Sequence, residues 1–393
     1  MRILFVSNLY PPHHVGGYEL GARDVVNALR ARGHEVFILT STFRLEGSFE
    51  DEPGVERALH FIAGDERHDK IRECRILRRA LQRHRPDVVY FWNQAGLSYW
   101  LSMAAHWLGC RVAFFLSDPN FVSWRIAAWL AGLAPRSALI HALFGRTFLV
   151  RGWPVIQNRA CHFASRFLQS CATNAGIPVA SETSALVYWG IDPPVFAAIG
   201  RRSRPLRSLL YVGQLIPQKG VHTAIAALAL LPAEPEGNSL TLTIVGGGLH
   251  PEYEKRLGAM PAELGIADRV HFLGKVPRNA LPAIYGAHDV LVFPSEWEEP
   301  FAITPLEAMA AGLVVVGTTT GGSGELFRNR ETAMTFTAGD AHDCARAIRE
   351  LCSDPTLAES IRTRSLGEVT TRYTLVSMVN SIESGLRKII ADA

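Results

Sequence analysis

Short apolar runs alternate with longer amphipathic segments through the first half of the chain. The run RILFVSN leads into a polar loop, LYPPHHVGGYELGA, and then into ARDVVNALRARGHEVFILTS, which has the apolar spacing of a helix followed by a strand. IRECRILRRALQRHRPDVVYFWN repeats the step from helix to strand, and CRVAFFLSD, ACHFASRFL and SALVYWGID supply further strands. The pattern predicts an open, parallel α/β sheet.

A second series of strands begins after the stretch AAIGRRSRPLR, which has no apolar period and predicts a linker. Its members are SLLYVG, LTLTIVGGG, VHFLGKV, DVLVFPS, LVVVGTT and AMTFTAG. Since 393 residues are too many for one ordinary core, we predict two Rossmann-like, doubly wound domains over residues 1–200 and 201–375. The helix over 376–393 is expected to pack back toward the first domain.

Ligands of doubly wound sheets bind beyond the carboxyl ends of the strands. The polar loops after FVSN, YVG, IVGGG and VFPS are expected to form such rims, and two facing rims predict a cleft between the domains.

Composition excludes several classes of protein. The net charge of +3 gives no argument for nucleic acid, and no zinc-finger spacing or aromatic basic strand motif adds one. The six cysteines include no C-x-x-C pair, which is typical of buried free thiols in a reducing compartment. Because MRILFVSNLY begins directly with a strand rather than a leader, we expect a cytoplasmic protein.

The segment 119–181 is basic and aromatic. It contains six arginines and no Asp or Glu, up to Ser181, together with several Trp and Phe residues. One interpretation is a surface that contacts an anionic membrane or a lipid-linked acceptor, which would place the protein peripherally at the inner membrane surface. The other is a pair of core helices with arginines at the solvent boundary. No apolar run here is long enough to span a bilayer.

The stretch EEPFAITPLEAMAAG, residues 298–312, carries the strongest local signal. Thr304 is placed as an N-cap, Pro305 as the first helical residue, Glu307 in the first turn and Gly312 just past the end. Backbone N–H groups at Ile303 and Thr304 would then offer a site for phosphate oxygens.

Two carboxylates beside a phosphate site predict a ligand whose phosphates are flanked by hydroxyl groups. A nucleotide sugar fits, with Glu307 accepting from a ribose and Glu299 from a second sugar. The alternatives need no ligand: Glu307 in a capping box with Thr304, and Glu299 as a solvated charge in an acidic loop.

These residues resemble a known family. EPFAITPLEAMAAGLVVV is similar to the hallmark of retaining glycosyltransferases of family 4, which have the GT-B fold and two glutamates separated by seven residues, here Glu299 and Glu307. YVGQLIPQKG, LTIVGGG, VHFLGKV, TTTGGSGE and VYWGID agree in order and spacing. The resemblance covers nearly the whole chain.

The resemblance implies roles for individual residues. Glu299 would bind hydroxyls of the donor sugar, Glu307 the ribose, and Lys219 would neutralise the diphosphate, since no D-x-D element is present to recruit a metal. Asp118, Glu299 and Lys219 are the implied catalytic residues. The implied donor-binding set is Gly16, Gly17, Gln214, Lys219, Gly246, Lys275, Val276, Glu299, Phe301, Ala302, Ile303, Thr304 and Glu307.

Three positions depart from the family pattern. Gln214 replaces a common arginine, Ala302 replaces a glycine, and Ser117 stands at the position of a first-domain histidine, where only Asp118 persists. Asp118 would line the cleft or, alternatively, cap a turn before Pro119. The VGGG loop lacks the full dinucleotide fingerprint.

The resemblance thus implies a hexosyltransferase that moves a sugar from a nucleoside diphosphate to an acceptor hydroxyl with retention. It would need no metal or other cofactor, and its acceptor would be a glycan, a lipid-linked sugar or a small molecule. A GT-B epimerase or phosphorylase, or a non-catalytic sugar-nucleotide binding protein, are the alternatives.

Overall fold

A computed structural model describes most of the chain. The described residues are 1–14, 16–43, 51–61, 70–98, 100–119, 161–174, 182–197, 205–233, 239–248 and 250–391. The chain divides into two compact units, one comprising Met1–Tyr188 with Met378–Ala393 and the other Trp189–Ser377. Most of the segment 119–181, with its predicted membrane contact, lies outside the described residues.

The first unit is built on a parallel sheet with the strand order β3-β2-β1-β4-β5-β6-β7. Its strands are β1 (Arg2–Ser7), β2 (Glu35–Ser41), β3 (Val55–Leu59), β4 (Val88–Asn93), β5 (Val112–Leu116), β6 (Cys161–Phe163) and β7 (Ala185–Leu186). Its described helices before the second unit are α1 (Gly17–Ala31), α2 (Lys70–His84), α3 (Trp100–Trp107) and α4 (Arg166–Asn174).

The central strands of this sheet are apolar on both faces. Every residue of β5 is buried, as is all of β4 except its last residue. Such strands read as continuous apolar runs because helices cover both faces of a parallel sheet. Aromatic rings continue the packing across neighbouring strands: the centroid of Trp92 lies 5.2 Å from that of Phe5 and 4.2 Å from that of Phe115.

The second unit is built on a parallel sheet with the order β10-β9-β8-β11-β12-β13. Its strands are β8 (Ser208–Val212), β9 (Thr241–Val245), β10 (Val270–Gly274), β11 (Val290–Phe293), β12 (Val314–Gly317) and β13 (Met334–Thr335). Its helices are α5 (Pro193–Phe196), α6 (Val221–Ala229), α7 (Pro251–Glu263), α8 (Leu281–Ala287), α9 (Ile303–Ala310), α10 (Ala341–Ser353) and α11 (Pro355–Thr371). The predicted class of two Rossmann-like α/β units is confirmed.

The boundary between the units lies earlier than residue 200, where the sequence placed it. Ile191 forms a parallel bridge with Thr374: its N–H donates to the carbonyl of Tyr373 at 3.0 Å, and its own carbonyl accepts from Leu375 N at 2.6 Å. A Cβ on Gly190 would collide with the backbone of Thr374, so only glycine permits this approach. The segment after Tyr188 therefore belongs to the second unit.

The last helix, α12 (Leu375–Ala391), belongs to the first unit from Met378 onward. Its Glu383 accepts hydrogen bonds from Arg387 at 2.7 Å and from Arg32 at 2.9 Å, and lies 3.2 Å from the ring of His34. Arg387 and Arg32 lower the pKa of this carboxyl to about 2. The side chains of Glu383 and Arg32 are 18% and 28% exposed and that of Arg387 is 61% exposed, so these partly solvated pairs orient α12 more than they stabilise it.

His162, at the centre of β6, is fully buried beneath α12. Its Nδ1 lies 2.9 Å from the hydroxyl of Tyr90, and the missing side chain of Gly385 makes room for its Nε2. Burial lowers the pKa of His162 to about 4, so the ring is neutral in the folded chain at neutral pH.

We expect this histidine to make the first unit acid-sensitive. The unfolded chain protonates His162 below its ordinary pKa of about 6.5, whereas the folded chain does so only near 4, so stability is lost as the pH falls between these values. The loss is about 3 kcal/mol. Denaturant unfolding of the wild type and His162→Gln at a series of pH values measures it. The variant should show a flatter dependence across this range, and equal slopes would contradict the prediction.

The six cysteines are free thiols, and burial differs among them. Cys161 and Cys344 are buried as expected, but the other four are partly exposed. Burial raises the pKa of Cys161 to about 12, which keeps it an unreactive thiol. None of the helices described here has the length and apolarity that a membrane span requires.

Candidate active site

The loops at the carboxyl ends of the second unit's strands are hydrogen-bonded to one another. After β8 and β9, Leu215 N donates to the carbonyl of Gly247 at 3.2 Å. After β8 and β11, the N–H of Glu296 donates to the carbonyl of Gln218 at 2.9 Å. The expectation that these loops share one rim is confirmed for the second unit.

Two glycines let these loops approach closely. Gly220 has a φ of 65°, and a Cβ there would overlap the carbonyl of Pro294. Gly246 has a φ of 143°, and a Cβ there would overlap the carbonyl of Gly213. Both positions require glycine for two reasons: φ is positive, and the carbonyl of a neighbouring loop occupies the place where a Cβ would lie. The resemblance had implied Gly246 as a donor-binding residue, but the sequence did not show that its backbone requires glycine.

Lys219 and Glu299 form an ion pair that joins the loops after β8 and β11. The ammonium of Lys219 donates to Oε1 of Glu299 at 2.5 Å, and the hydroxyl of Ser295 donates to the same oxygen at 2.7 Å. The side chain of Glu299 is 6% exposed and that of Lys219 is 25% exposed. Glu299 is therefore a buried, paired carboxylate, and the alternative of a solvated charge is wrong.

The helix α9 begins earlier than its sequence indicates. Its N-cap is Ala302, which makes no side-chain cap, so Thr304 is the second helical residue rather than the cap. The N-cap is the last residue with extended backbone angles before the helix, and that residue is Ala302 rather than Thr304. Ile303 and Thr304 still lie in the first turn, where N–H groups have no partner inside a helix. The predicted position of the amide site is thus retained although the predicted cap is wrong.

Glu307 lies in the second turn of α9, so it does not form a capping box with Thr304. Its Oε2 accepts a hydrogen bond from the hydroxyl of Tyr285, on α8, at 2.9 Å. Burial, and then the charge of Glu307, raise the pKa of Tyr285, so the phenol remains a donor. Glu307 is 7% exposed, and this buried carboxylate is held by tertiary structure rather than by its own helix.

Replacing Tyr285 by phenylalanine tests this arrangement. The change removes a hydrogen bond to a buried carboxylate and should lower the free energy of unfolding of the second unit by about 1–3 kcal/mol. Tyr253→Phe is the matched control, since that hydroxyl bonds His222 at 2.8 Å in a half-buried position and its loss should cost less. If the two changes lowered the free energy of unfolding equally, the hydrogen bond from Tyr285 to Glu307 would not be the more stabilising one.

The end of α9 agrees with the sequence. Gly312 has a φ of 75°, its N–H donates to the carbonyl of Met309 at 2.9 Å, and the N–H of Leu313 donates to that of Ala308 at 2.9 Å. These are the two bonds of a Schellman motif. The prediction of a glycine just beyond the last turn is confirmed.

The remaining predicted donor residues of the second unit lie around the same loops. The carbonyl of Gln214 accepts from the hydroxyl of Tyr211 at 2.7 Å. Lys275 is exposed after β10, and its Cε lies 2.8 Å from where a Cβ of Gly247 would be. Val276 is partly exposed beside it, while Phe301 and Ala302 are buried before α9.

Gly16, Gly17 and Asp118 belong to the first unit. Gly16 is the N-cap of α1, and its N–H donates to Oε2 of Glu19 at 3.1 Å. Asp118 follows β5 and is partly buried. The pKa of Tyr18, at the start of α1, is raised mainly by burial and next by the negative charge of Asp118. Asp118 therefore lies near the start of α1. Loops after β1 and β5 are thus neighbours in this unit.

Several polar residues around these loops were missed from the sequence. Ser295 binds Glu299 and accepts at its carbonyl from Thr318 at 2.6 Å, and Tyr285 holds Glu307. Ser295 had a signal, because it directly follows the strand VLVFP; Tyr285 had none, because its partner is distant in sequence.

Gln94, after β4, was also missed. It is 8% exposed, and within the described part of the chain neither amide atom has a hydrogen-bond partner. An unpaired buried amide is costly and points to a polar ligand or water. No group of three or more His, Cys, Asp or Glu in the described ranges is placed to hold a metal ion.

Comparison with known proteins agrees with this fold. The model of the family "Glycosyl transferases group 1" matches residues 201–366, and that of "Glycosyltransferase Family 4" matches residues 15–150. The glycogen synthase of Mycobacterium tuberculosis is 30% identical over 91% of this chain and 88% of its own length. A GDP-mannose-dependent phosphatidylinositol monomannoside mannosyltransferase from the same organism is 24% identical over 90% of this chain and 89% of its own.

Solved structures show the same fold. Sucrose-phosphate synthase from Thermosynechococcus elongatus has a TM-score of 0.76 and 19% identity, covering 100% of both chains. HepE from Anabaena, solved with UDP, has a TM-score of 0.74 and 22% identity, covering 99% of this chain and 100% of its own. Two parallel α/β units of this kind have the GT-B fold. This chain belongs to glycosyltransferase family 4.

Proposed function

We propose that this enzyme transfers a hexose from a nucleoside diphosphate sugar to an acceptor hydroxyl with retention of the anomeric configuration. The observation that carries the proposal is the Lys219–Glu299 pair, a cation and a buried carboxylate held 2.5 Å apart within the carboxyl-end loops of the second unit. A diphosphate needs the first group and sugar hydroxyls the second. The names of the relatives support it, since they include a glycogen synthase and a GDP-mannose-dependent mannosyltransferase.

The donor is assigned to the second unit. Lys219 and the amides from Phe301 to Thr304 bind the diphosphate, and the dipole of α9 adds to their field. Glu307 accepts from the ribose, with Tyr285 fixing its orientation. The nucleobase of the donor contacts Gly246, Lys275 and Val276 and lies beside Gln214.

Glu299 then has two tasks in one carboxylate. Its Oε1 already holds Lys219 and Ser295. We assign Oε2 to a hydroxyl of the donor sugar, so that the diphosphate-binding cation and the sugar are positioned by the same side chain.

The chemistry proceeds without an enzyme nucleophile. The bond from the anomeric carbon to the diphosphate oxygen breaks, and the acceptor oxygen forms its new bond on the same face. The acceptor proton passes to the departing phosphate. Lys219 and the amides of α9 stabilise the negative charge that develops there, so that no metal is required. Addition of EDTA should leave the rate unchanged.

The acceptor is assigned to the first unit, with Asp118 beside it. The unpaired amide of Gln94 supplies a hydrogen-bonding group for an acceptor hydroxyl. Gln94→Leu should therefore raise the KM for the acceptor about tenfold or more while leaving the KM for the donor unchanged. An equal change in both constants would contradict this assignment.

A thermal-shift screen of UDP-, GDP-, ADP- and TDP-sugars identifies the donor, because a ligand of the native state raises its stability. The selected donor is then tested with sugar and lipid-linked acceptors, and NMR of the product gives its anomeric configuration. Glu307→Gln should abolish the shift caused by the donor. A shift by donor without turnover on any acceptor, or an inverted product, would overturn the proposal.

Residence in a reducing compartment is part of the proposal, because all six cysteines are free thiols.

A further inference from the structure

The outward face of helix α2 is densely basic. Leu77 and Ala80 are buried against the sheet, and the single acid of the helix, Glu73, is buried as well. The exposed positions of this helix include Arg72, Arg75, Arg78, Arg79 and Arg83. Within the described chain no acidic side chain pairs with Arg75, Arg78 or Arg79, and the ion pair of Arg83 with Glu56 lies near the far end of the helix. Positive charge is thus concentrated on one face.

Large apolar side chains adjoin this basic face. Ile71 is 65% exposed, Trp107 43% and Leu108 48%, whereas most large apolar residues described in the chain are buried. These three residues, with parts of α2 and α3, line a shallow groove of about 460 Å³. We call this the α2–α3 surface; its lining residues are Ile71, Cys74, Arg75, Arg78, Ala104, Trp107 and Leu108.

We propose that the α2–α3 surface docks on an anionic lipid bilayer, with its arginines at the phosphate headgroups and Ile71, Trp107 and Leu108 inserted at the boundary with the acyl chains. Helices that lie in a membrane interface combine basic and apolar residues in this way, and tryptophan favours that depth. None of its residues belongs to the segment 119–181, for which the sequence predicted a membrane contact.

Charge and geometry favour a bilayer over a protein partner. The exposed arginines extend along α2 beyond the groove, so an anionic surface can contact more of them than a peptide in the groove, which would reach only Arg75 and Arg78. Three apolar side chains are enough to insert shallowly. The proposal does not depend on the proposed reaction, since binding to vesicles needs no turnover.

Sedimentation with vesicles tests the proposal on the full chain. The wild type should bind vesicles of phosphatidylcholine with phosphatidylglycerol, should bind pure phosphatidylcholine weakly, and should dissociate as salt is raised. Arg75→Gln with Arg78→Gln should weaken binding about 30-fold, because each basic residue contributes about fivefold. The matched control is Arg349→Gln with Arg364→Gln, two exposed arginines of the second unit, which should bind like the wild type.

The apolar part has its own control. Trp107→Ala should weaken binding about tenfold or more, whereas Trp297→Ala should not, although both tryptophans are 43% exposed. Circular dichroism verifies that each variant is folded.

Three results would overturn the proposal: no binding of the wild type to anionic vesicles, equal binding to neutral ones, or equal loss in the control variants. A change of oligomeric state in Trp107→Ala would identify the surface as an interface between copies. If Arg75→Gln with Arg78→Gln lost binding to polyglutamate but kept binding to vesicles, the α2–α3 surface would be assigned to an acidic protein partner instead.

Discussion

Lys219→Ala should lower kcat/KM for sugar transfer by about 10²–10³, the effect of removing one fixed group that stabilises developing charge. The side chain is placed by its ion pair with Glu299 and by the turn that ends at Gly220. Its loss removes the positive charge proposed to face the departing diphosphate. The measurement is the initial rate with the donor chosen by the thermal-shift screen.

Loss of Lys219 also leaves the buried carboxylate of Glu299 without its cation, so activity and folding must be separated. The second unit of Lys219→Ala should be less stable by about 1–3 kcal/mol. Adding Glu299→Gln should restore much of that stability while activity stays low. Lys255→Ala, at an exposed position of α7, is the control and should behave like the wild type. Wild-type rates in a folded Lys219→Ala protein would exclude Lys219 from the reaction.

Gly220→Ala should lower the free energy of unfolding of the second unit by about 2–4 kcal/mol. A residue with a Cβ is strained at its φ of 65°, and the Cβ would overlap the carbonyl of Pro294. Relief of that overlap separates the loop of Lys219 from the loop of Glu299, so donor binding should weaken as well. Denaturant unfolding and the donor's thermal shift measure the two effects.

Gly258→Ala is the matched control for this change. Gly258 lies inside α7, and nothing is within 4 Å of the position of a Cβ. Alanine there should stabilise the helix by about 0.5–1 kcal/mol, the opposite sign. If Gly220→Ala were as stable as the wild type, the close contact of the two loops would be absent in solution.

Much of the fold was predictable because the strands are short, apolar runs bounded by loops. VVYFWN and VAFFL became central strands, since burial on both faces leaves a continuous apolar signal. The strand β3 was not identified. Two of the five residues of its sequence, VERAL, are charged, and four of the five are only partly buried. The edge position of β3 tolerates these charges and so removes the apolar run, whereas the edge strands β10 and β13 kept enough apolar residues to be identified.

The site was predictable where its signal is local. Short motifs pointed to Glu299, Lys219 and the glycine that ends α9. In the structure the first two form an ion pair, and the glycine lies in the Schellman motif. The start of α9 was misplaced because Thr304 and Glu307 have the spacing of a capping box, whereas the helix begins at Ile303 with Ala302 as its N-cap. The hydroxyl of Tyr285 takes the place of that cap as the partner of Glu307, and no local pattern links two residues on different helices.

The division of the chain has a consequence for its synthesis. The first unit includes α12, whose Gly385 lies against His162 and whose Glu383 lies beside Arg32. This helix follows the second unit in the sequence, so the first unit is completed only after the second has been translated. Until α12 emerges, the nascent chain would expose β6 and its histidine, and partly completed units of this kind are prone to aggregate.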